Sequence, residues 1–199
     1  MKTRTGFVSN SSSSSFIIGL SNKPSCVEDV HKELFDTDEV RELEALYDGD
    51  DTYTTLDVAQ QVYEDVSKQK PTNVDKGKKE ILENINSGWF EGMPDYNYGD
   101  TESAKFRKEY RNETGQDINY DKTPKDIWEK YQNIQKKESE ERRKELDKAA
   151  DRLFEKHRDK FSDKKIYFLS YSDNDGSFQS FMEHGGIFDK IPNITISNH

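Results

Sequence analysis

Five carboxylate and imidazole side chains near the end of the sequence are of the types that bind metal ions. They are Asp173, Asp175, Glu183, His184 and His199. Carboxylate oxygens and imidazole nitrogens are ligands that zinc, iron and manganese accept, and the same groups act as general acids and bases. This segment makes a divalent metal ion a candidate cofactor, and a metal-dependent hydrolase or a nucleotide-acting enzyme an alternative function.

The same segment also has a structural interpretation. Residues 173–176 read Asp-Asn-Asp-Gly, a composition typical of tight turns because these residue types tolerate left-handed backbone geometry. The calcium-binding hand does not fit, because a loop with Gly176 in sixth place has no carboxylate in its first or twelfth place. Glu183 and His184 are adjacent and would point to opposite faces of a strand, so they would share a metal ion only from a loop.

A run of serines near the start of the chain is the other candidate for chemistry. Its backbone amides and hydroxyls suit a phosphate or a nucleotide, although the run lacks the glycine spacing and the lysine of a P-loop. A nucleophilic serine would need a base such as His184 or His199. The alternative is a polar connection in which the serines satisfy backbone groups. The candidate substrate-binding residues are Arg4, Ser9, Asn10, Ser11, Ser12 and Ser13.

Residues 89–100 are rich in Gly, Pro, Asn and Asp, which predicts a loop. The loop also carries large side chains of the types that anchor protein interfaces. These candidate partner-binding residues are Trp89, Phe90, Met93, Tyr96 and Tyr98. In the alternative interpretation, Trp89 and Phe90 close the core and the tyrosines lie flat on the surface.

The charge distribution limits the partners that we expect. The net charge is −10, yet residues 1–24 contain three basic side chains and no acidic one, so the acidic excess lies further along the chain. Such a chain lacks the clustered Lys and Arg that neutralise nucleic-acid phosphates, and it disfavours an anionic membrane surface. We therefore expect a protein partner, no direct nucleic-acid binding and no membrane contact.

Cysteine content and apolar content indicate a soluble protein in a reducing cytoplasm. Cys26 is the only cysteine, so the sequence has no disulfide framework. No segment approaches the ~20 consecutive apolar residues of a membrane span, and the first residues lack the apolar core of a signal peptide.

Hydrophobic periodicity predicts an α+β fold. Apolar or alternating runs predict strands over residues 16–20, 165–172 and 193–197. Helical spacing predicts helices that begin near residues 27, 36, 54, 72 and 101. We expect a small β-sheet built from both chain termini, residues 1–24 and 164–199, with a largely helical acidic insertion over residues 25–163. This arrangement would bring the serine run close to the final histidine.

The longest predicted helix runs from about residue 124 to about residue 161. It begins at Thr123-Pro124, since proline suits the first helical position, and Asp126 follows at the third. Residues 135–145 of this helix contain no apolar side chain. A stretch of that kind packs against nothing hydrophobic, so it is expected to project into water or to bridge two parts of the protein.

The sequences of both chain ends resemble those of a group of uncharacterised bacteriophage and prophage proteins. Residues 4–16 read RTGFVSNSSSSSF, and the other end contains Ser-Asp-Asn-Asp-Gly, Glu-His and a terminal Ile-Ser-x-His. Proteins of that group begin almost identically and share these C-terminal motifs. The resemblance leaves residues 25–160 uncovered. It implies a phage source and not a particular activity.

These observations together favour a bacteriophage accessory protein that acts by binding another protein. It would be a host-takeover or anti-defence factor, with nucleic-acid mimicry by its carboxylates as a more specific version. The alternatives are a metal-dependent hydrolase or nucleotide-acting enzyme that uses the C-terminal Asp, Glu and His residues, and a minor virion or assembly protein. The expected location is the host cytoplasm or the virion.

Overall fold

The computed structural model describes residues 13–43, 52–173 and 176–197. Within these ranges the elements are β1 (Ser13–Leu20), α1 (Val27–Phe35), β2 (Glu42–Leu43), β3 (Tyr53–Thr54), α2 (Thr55–Ser67), α3 (Lys78–Ile85), α4 (Glu102–Thr114), α5 (Lys125–His157), β4 (Lys165–Ser172), α6 (Ser177–His184) and β5 (Asn193–Ser197). Short 3-10 helices lie before α4 at Tyr98–Asp100 and after α5 at Arg158–Phe161.

The chain divides into two compact units. The first, called the sheet unit here, comprises the described parts of Met1–Glu91 and Arg152–His199, and the second, the helical unit, is Gly92–Asp151. The helical region predicted over residues 25–163 is therefore divided, since α1, α2 and α3 belong to the sheet unit. The last residues of α5 belong to the sheet unit as well.

The α+β prediction is confirmed by a three-stranded antiparallel sheet in the order β4-β1-β5. In the central strand, Phe16 lies opposite Leu169 of β4, and Ile17 lies opposite Ile194 of β5. Both edges of β1 are thus hydrogen-bonded. Phe16, Ile17 and Ile18 are all buried, and burial on both faces of the sheet explains why the sequence is apolar on consecutive residues rather than alternating. The sheet joins segments from both end regions of the chain.

One face of the sheet is covered by α1, α2 and α6. Phe16 and Ile18 of β1 and Tyr167 of β4 belong to a buried cluster, together with Val30 of α1 and Val62 of α2. Burial of each such side chain contributes about 1.5–3 kcal/mol. This cluster is the main source of stability that positions the elements around it.

The opposite face of the sheet is also buried. Ile17, Ile166 and Ile196 each have almost no exposed surface. Gly19 lies close to the ring of Phe161, where an added Cβ would be 2.9 Å from the ring atom Cδ1. Glycine is required at this position because the strand approaches the aromatic ring too closely for any side chain.

Both edges of the sheet are occupied by groups from outside it. On β4, the side-chain amide of Gln69 donates to the Phe168 carbonyl at 2.8 Å and accepts from the Phe168 N–H at 3.1 Å. Thr72 exchanges two backbone hydrogen bonds with Ile166 further along the same edge, and Trp89 does so with Ser197 of β5. These bonds satisfy strand-edge groups that would otherwise be free to pair with another chain.

The local helix signals were correct at Thr54 and wrong after Asp36. Thr54 Oγ1 accepts from the Asp57 N–H and the Asp57 carboxylate accepts from the Thr54 N–H, and this capping box lies at the predicted start of α2. The predicted helix beginning near residue 36 is absent over residues 36–43. Asp36 instead ends α1 with φ of 55°, and β2 pairs with β3, so tertiary pairing overrides local periodicity; residues 44–51 lie outside the description.

Two tyrosines of β4 bury their rings in the same cluster but differ at the hydroxyl. Tyr171 Oη donates to Asp65 Oδ2 at 3.3 Å, and burial together with this carboxylate raises the pKa of Tyr171 well above its ordinary value. The Tyr167 hydroxyl is buried and has no hydrogen-bond partner among the described residues. Its pKa is also raised, chiefly by burial. Burial of the Tyr167 hydroxyl without a hydrogen-bond partner therefore lowers the stability of the protein.

We expect Tyr167→Phe to stabilise the protein by about 1 kcal/mol, because the change removes a buried polar atom without a partner. Tyr171→Phe is the matched control, since it is the same change on the same strand, but it removes a hydrogen bond and should destabilise by about 1 kcal/mol. Urea unfolding at pH 7 measures both. Effects of equal sign at the two positions would contradict the difference between the hydroxyls.

We also expect stability to fall as the pH rises above about 10. A tyrosine with a raised folded-state pKa stabilises fully below its unfolded pKa, and the contribution is lost above it because the unfolded chain ionises first. Tyr171→Phe should therefore reduce the slope of melting temperature against pH between about pH 9.5 and 11. An unchanged slope would show that Tyr171 does not control the alkaline transition.

Candidate functional site

The predicted meeting of the two chain ends brings the last serines of the run beside the C-terminal segment. Ser13 lies opposite Ser172, and Ser14 lies between Tyr171 of β4 and Ser197 of β5. Of the candidate substrate-binding residues, Ser13 falls in the described part of the chain. The others lie outside the described residues: Arg4, Ser9, Asn10, Ser11 and Ser12.

Helix α6 sets the positions of Glu183 and His184, and sequence reasoning missed this helix. Its signal was present in the spacing of Phe178, Phe181 and Met182, which recur at helical intervals on one face. Gly176 precedes the helix with φ of 108°, a backbone conformation that favours glycine. Because the helix buries its apolar face on the sheet, it carries Glu183 inward and leaves His184 nearer the surface.

Glu183 is a buried carboxylate that joins three elements. Its Oε1 accepts from the Ser14 hydroxyl at 3.1 Å, and its Oε2 accepts from the Asp173 N–H at 3.1 Å. The side chain has no exposed surface. Each oxygen therefore holds a different part of the fold, with β1 on one side and the end of β4 on the other, and this arrangement compensates for the burial of the charge.

The geometry around Ser14 differs from that of a base-activated nucleophile. Ser14 donates to the Glu183 carboxylate, and the imidazole Nε2 of His184 lies 3.6 Å from the other oxygen of that carboxylate. The carboxylate thus stands between serine and histidine, whereas activation requires the base to contact the serine oxygen. Ser14 is also buried, but it helps to line a pocket beside the carboxylate.

The predicted metal ligands are brought together in part. Glu183 contacts the backbone of Asp173 and the ring of His184, while Asp175 and His199 lie outside the described residues. Among the residues that the structure describes, no group of three or more His, Cys, Asp or Glu side chains is arranged to hold a metal ion. The divalent-metal site stays a prediction.

A polar pocket of about 300 Å³ lies beside this carboxylate, against β5. Its lining includes Ser14, Glu183 and His184, together with Asn193, Thr195 and Ser197 of β5. The hydroxyl of Ser197 is buried and has no hydrogen-bond partner within the described ranges. A pocket of this size and polarity suits ordered water, which commonly satisfies such groups.

The predicted aromatic loop is divided between the two units. In the sheet unit, Phe90 is buried and Trp89 keeps half of its surface exposed while its backbone pairs with β5. Burial leaves little of the Phe90 ring for a partner. Met93, Tyr96 and Tyr98 belong to the helical unit, where Met93 and Tyr96 are half-buried and Tyr98 is exposed.

Two of these tyrosines form a cluster with Arg142 of α5, called the tyrosine–arginine cluster here. The rings of Tyr96 and Tyr98 meet edge to face with centroids 4.8 Å apart. The guanidinium of Arg142 lies 4.6 Å from the Tyr96 centroid and 5.2 Å from the Tyr98 centroid, and it also donates to the Tyr98 hydroxyl. Asn97 holds the intervening turn by accepting from the Gly99 N–H at 3.1 Å.

The polar stretch of α5 over residues 135–145 is exposed at most positions, in line with the expectation that it projects into water, while Arg142 and Glu138 are half-buried and connect it to other parts of the helical unit. Besides Arg142, Glu138 contributes by accepting from the Ser103 N–H at the start of α4, at 2.9 Å. Partial burial acts to raise the pKa of Glu138, but hydrogen bonds from Ser103 outweigh it and lower the pKa. Apolar periodicity missed this contact because cation–π and charge-assisted bonds replace hydrophobic burial.

Comparison with protein-family models, with curated proteins and with solved structures gives no significant match. No helix in the described part of the chain has the length and apolar character needed to cross a membrane. Evidence about function therefore comes from the contacts within the chain itself.

We expect Glu183→Ala to destabilise the protein by about 3 kcal/mol, because it leaves the buried Ser14 hydroxyl and the half-buried Asp173 N–H without their acceptor. His184→Ala is the control: it is the adjacent residue, its side chain is 35% exposed, and it should change the free energy of unfolding by less than about 1 kcal/mol. Urea unfolding of both variants checks the difference. A Glu183→Ala variant as stable as His184→Ala would show that Glu183 does not hold the fold.

Proposed function

We propose that this protein is a bacteriophage accessory protein that acts by binding another protein, as a host-takeover or anti-defence factor. The tyrosine–arginine cluster of the helical unit is the contact surface of this proposal. The resemblance of both chain ends to phage proteins supports the source. The exposure and the order of the cluster support the mode of action.

The observation that carries the proposal is the state of Tyr98. Tyr98 is 65% exposed, yet Tyr96 and Arg142 hold its ring and its hydroxyl in place. An exposed aromatic side chain that is already ordered loses little conformational entropy when a partner covers it. Tyrosine and arginine are also the residue types that most often dominate binding energy at protein interfaces.

The contacts of Glu183 support binding over catalysis. Both oxygens of this carboxylate accept hydrogen bonds from the protein, and the side chain has no exposed surface. A general acid or a general base must come within hydrogen-bond reach of the reacting atoms. Glu183 is occupied in holding α6 to the sheet instead.

The experiment is affinity purification of the tagged full-length protein from phage-infected cells, followed by measurement of Kd with the recovered partner. We expect Tyr98→Ala to weaken binding at least tenfold, the loss typical of a residue at an interface centre. Tyr120→Ala is the matched control, because Tyr120 is 75% exposed in the same unit and packs on Trp128 outside the cluster. Circular dichroism confirms that both variants are folded.

Two outcomes would contradict the proposal. One is the repeated recovery of the protein without a stoichiometric partner. The other is an equal loss of affinity in Tyr98→Ala and Tyr120→Ala, which would mean that the cluster has no special role.

A further inference from the structure

A groove of about 310 Å³ lies in the sheet unit where β3, α2 and α6 meet. Its lining residues, which together are called the acidic slot here, are Tyr53, Asp57, Gln60, Gln61, Glu64 and Phe178. The rings of Tyr53 and Phe178 are 4.9 Å apart and inclined by 54°, and both are partly exposed. The slot therefore presents two aromatic rings to the surface.

The two carboxylates of the acidic slot are anchored and still have oxygens to offer. Asp57 Oδ2 accepts from the N–H and the hydroxyl of Thr54, at 2.8 and 2.7 Å. Glu64 Oε1 accepts from the side-chain amide of Gln60 at 2.6 Å. Among the described residues, nothing donates to Oδ1 of Asp57 or Oε2 of Glu64. Both residues are exposed, so these oxygens can accept from a ligand.

The surroundings of the slot carry no compensating positive charge close by in sequence. Among the described residues no lysine or arginine belongs to its lining, and residues 52–67 contain three acidic side chains and no basic one. Lys68, the first basic residue after them, lies 3.9 Å from Asp65. Arg41, whose backbone bonds to Thr55, has its guanidinium paired with Glu39 at 3.0 Å. The slot thus combines negative potential with the faces of aromatic rings, and both features attract a cation.

We infer that the acidic slot binds an arginine side chain from a basic segment of the partner protein. A guanidinium is planar, so it stacks on an aromatic ring while its N–H groups donate to a carboxylate, and an ammonium does only part of this. The inference rests on the proposed function and names the chemistry of the partner. A basic partner surface is also what nucleic-acid mimicry by this protein would require.

The experiment measures fluorescence anisotropy of labelled peptides with the full-length protein at low and at physiological salt. The three probes share a Gly-Ser framework and carry arginine, lysine or uncharged citrulline at the same positions. We expect the arginine peptide to bind more tightly than the lysine peptide, and the citrulline peptide to show no binding. Equal binding of arginine and lysine would overturn the assignment of arginine.

Substitutions in the acidic slot test whether the arginine peptide binds there. Glu64→Gln and Phe178→Ala should each weaken the arginine peptide about three- to fivefold, the effect expected for an exposed charge pair or a cation–π contact. Glu83→Gln is the matched control, since it makes the same charge change on α3, where Glu83 is exposed and lies 3.6 Å from Lys79. Melting temperatures confirm that all three variants are folded.

The outcomes separate this inference from the proposed function. Full affinity in Glu64→Gln and Phe178→Ala, or an equal loss in Glu83→Gln, would overturn the slot whatever Tyr98→Ala does to the partner. Free arginine amide binding as tightly as the peptide would also overturn it, because the ligand would then be a small cation and not a protein segment. Specific peptide binding without any recoverable partner would support the slot and count against the proposed function alone.

Discussion

The pairing of β1 with two strands from the other end region of the chain is the constraint on which the sheet unit depends. Phe16, Ile17 and Ile18 are bonded on both edges, so their backbone groups are satisfied and their side chains can be buried on both faces. The segment from α1 to the end of α5 lies between β1 and β4 in sequence. Closing so long a loop costs entropy that grows only slowly with its length, which is why a long helical insertion is compatible with this sheet.

Polar side chains that look suited to chemistry serve this pairing. Glu183 joins β1 to the end of β4 through Ser14 and the Asp173 N–H. Gln69 completes the outer edge of β4 with a side chain that imitates a backbone peptide. A buried polar group stabilises a fold only when its partners are in place, so each of these residues specifies one arrangement of the elements. Their chemistry is directed inward, away from the exposed surfaces.

Those exposed surfaces differ in character between the two units. The helical unit has 13 basic and 15 acidic residues, so its charge is nearly balanced, and its distinctive feature is Tyr98 ordered by Arg142. Most of the acidic excess belongs to the sheet unit, where Asp57 and Glu64 flank the rings of Tyr53 and Phe178. An ordered aromatic side chain supplies contact area, whereas carboxylates beside aromatic rings select cations.

Features that arise from neighbours along the chain could be predicted from the amino-acid sequence. The apolar runs of β1 and β4, the helix start at Thr54 and the proline start of α5 each depend on a few adjacent residues. Which polar residues have partners is instead a property of the folded chain. Glu183 is buried because α6 carries it onto β1, and Arg142 lies on Tyr96 and Tyr98 because a turn far away in sequence meets α5. These contacts join residues that are distant in sequence, and hydrophobic periodicity records only which face of an element is apolar, not which polar atoms will meet there.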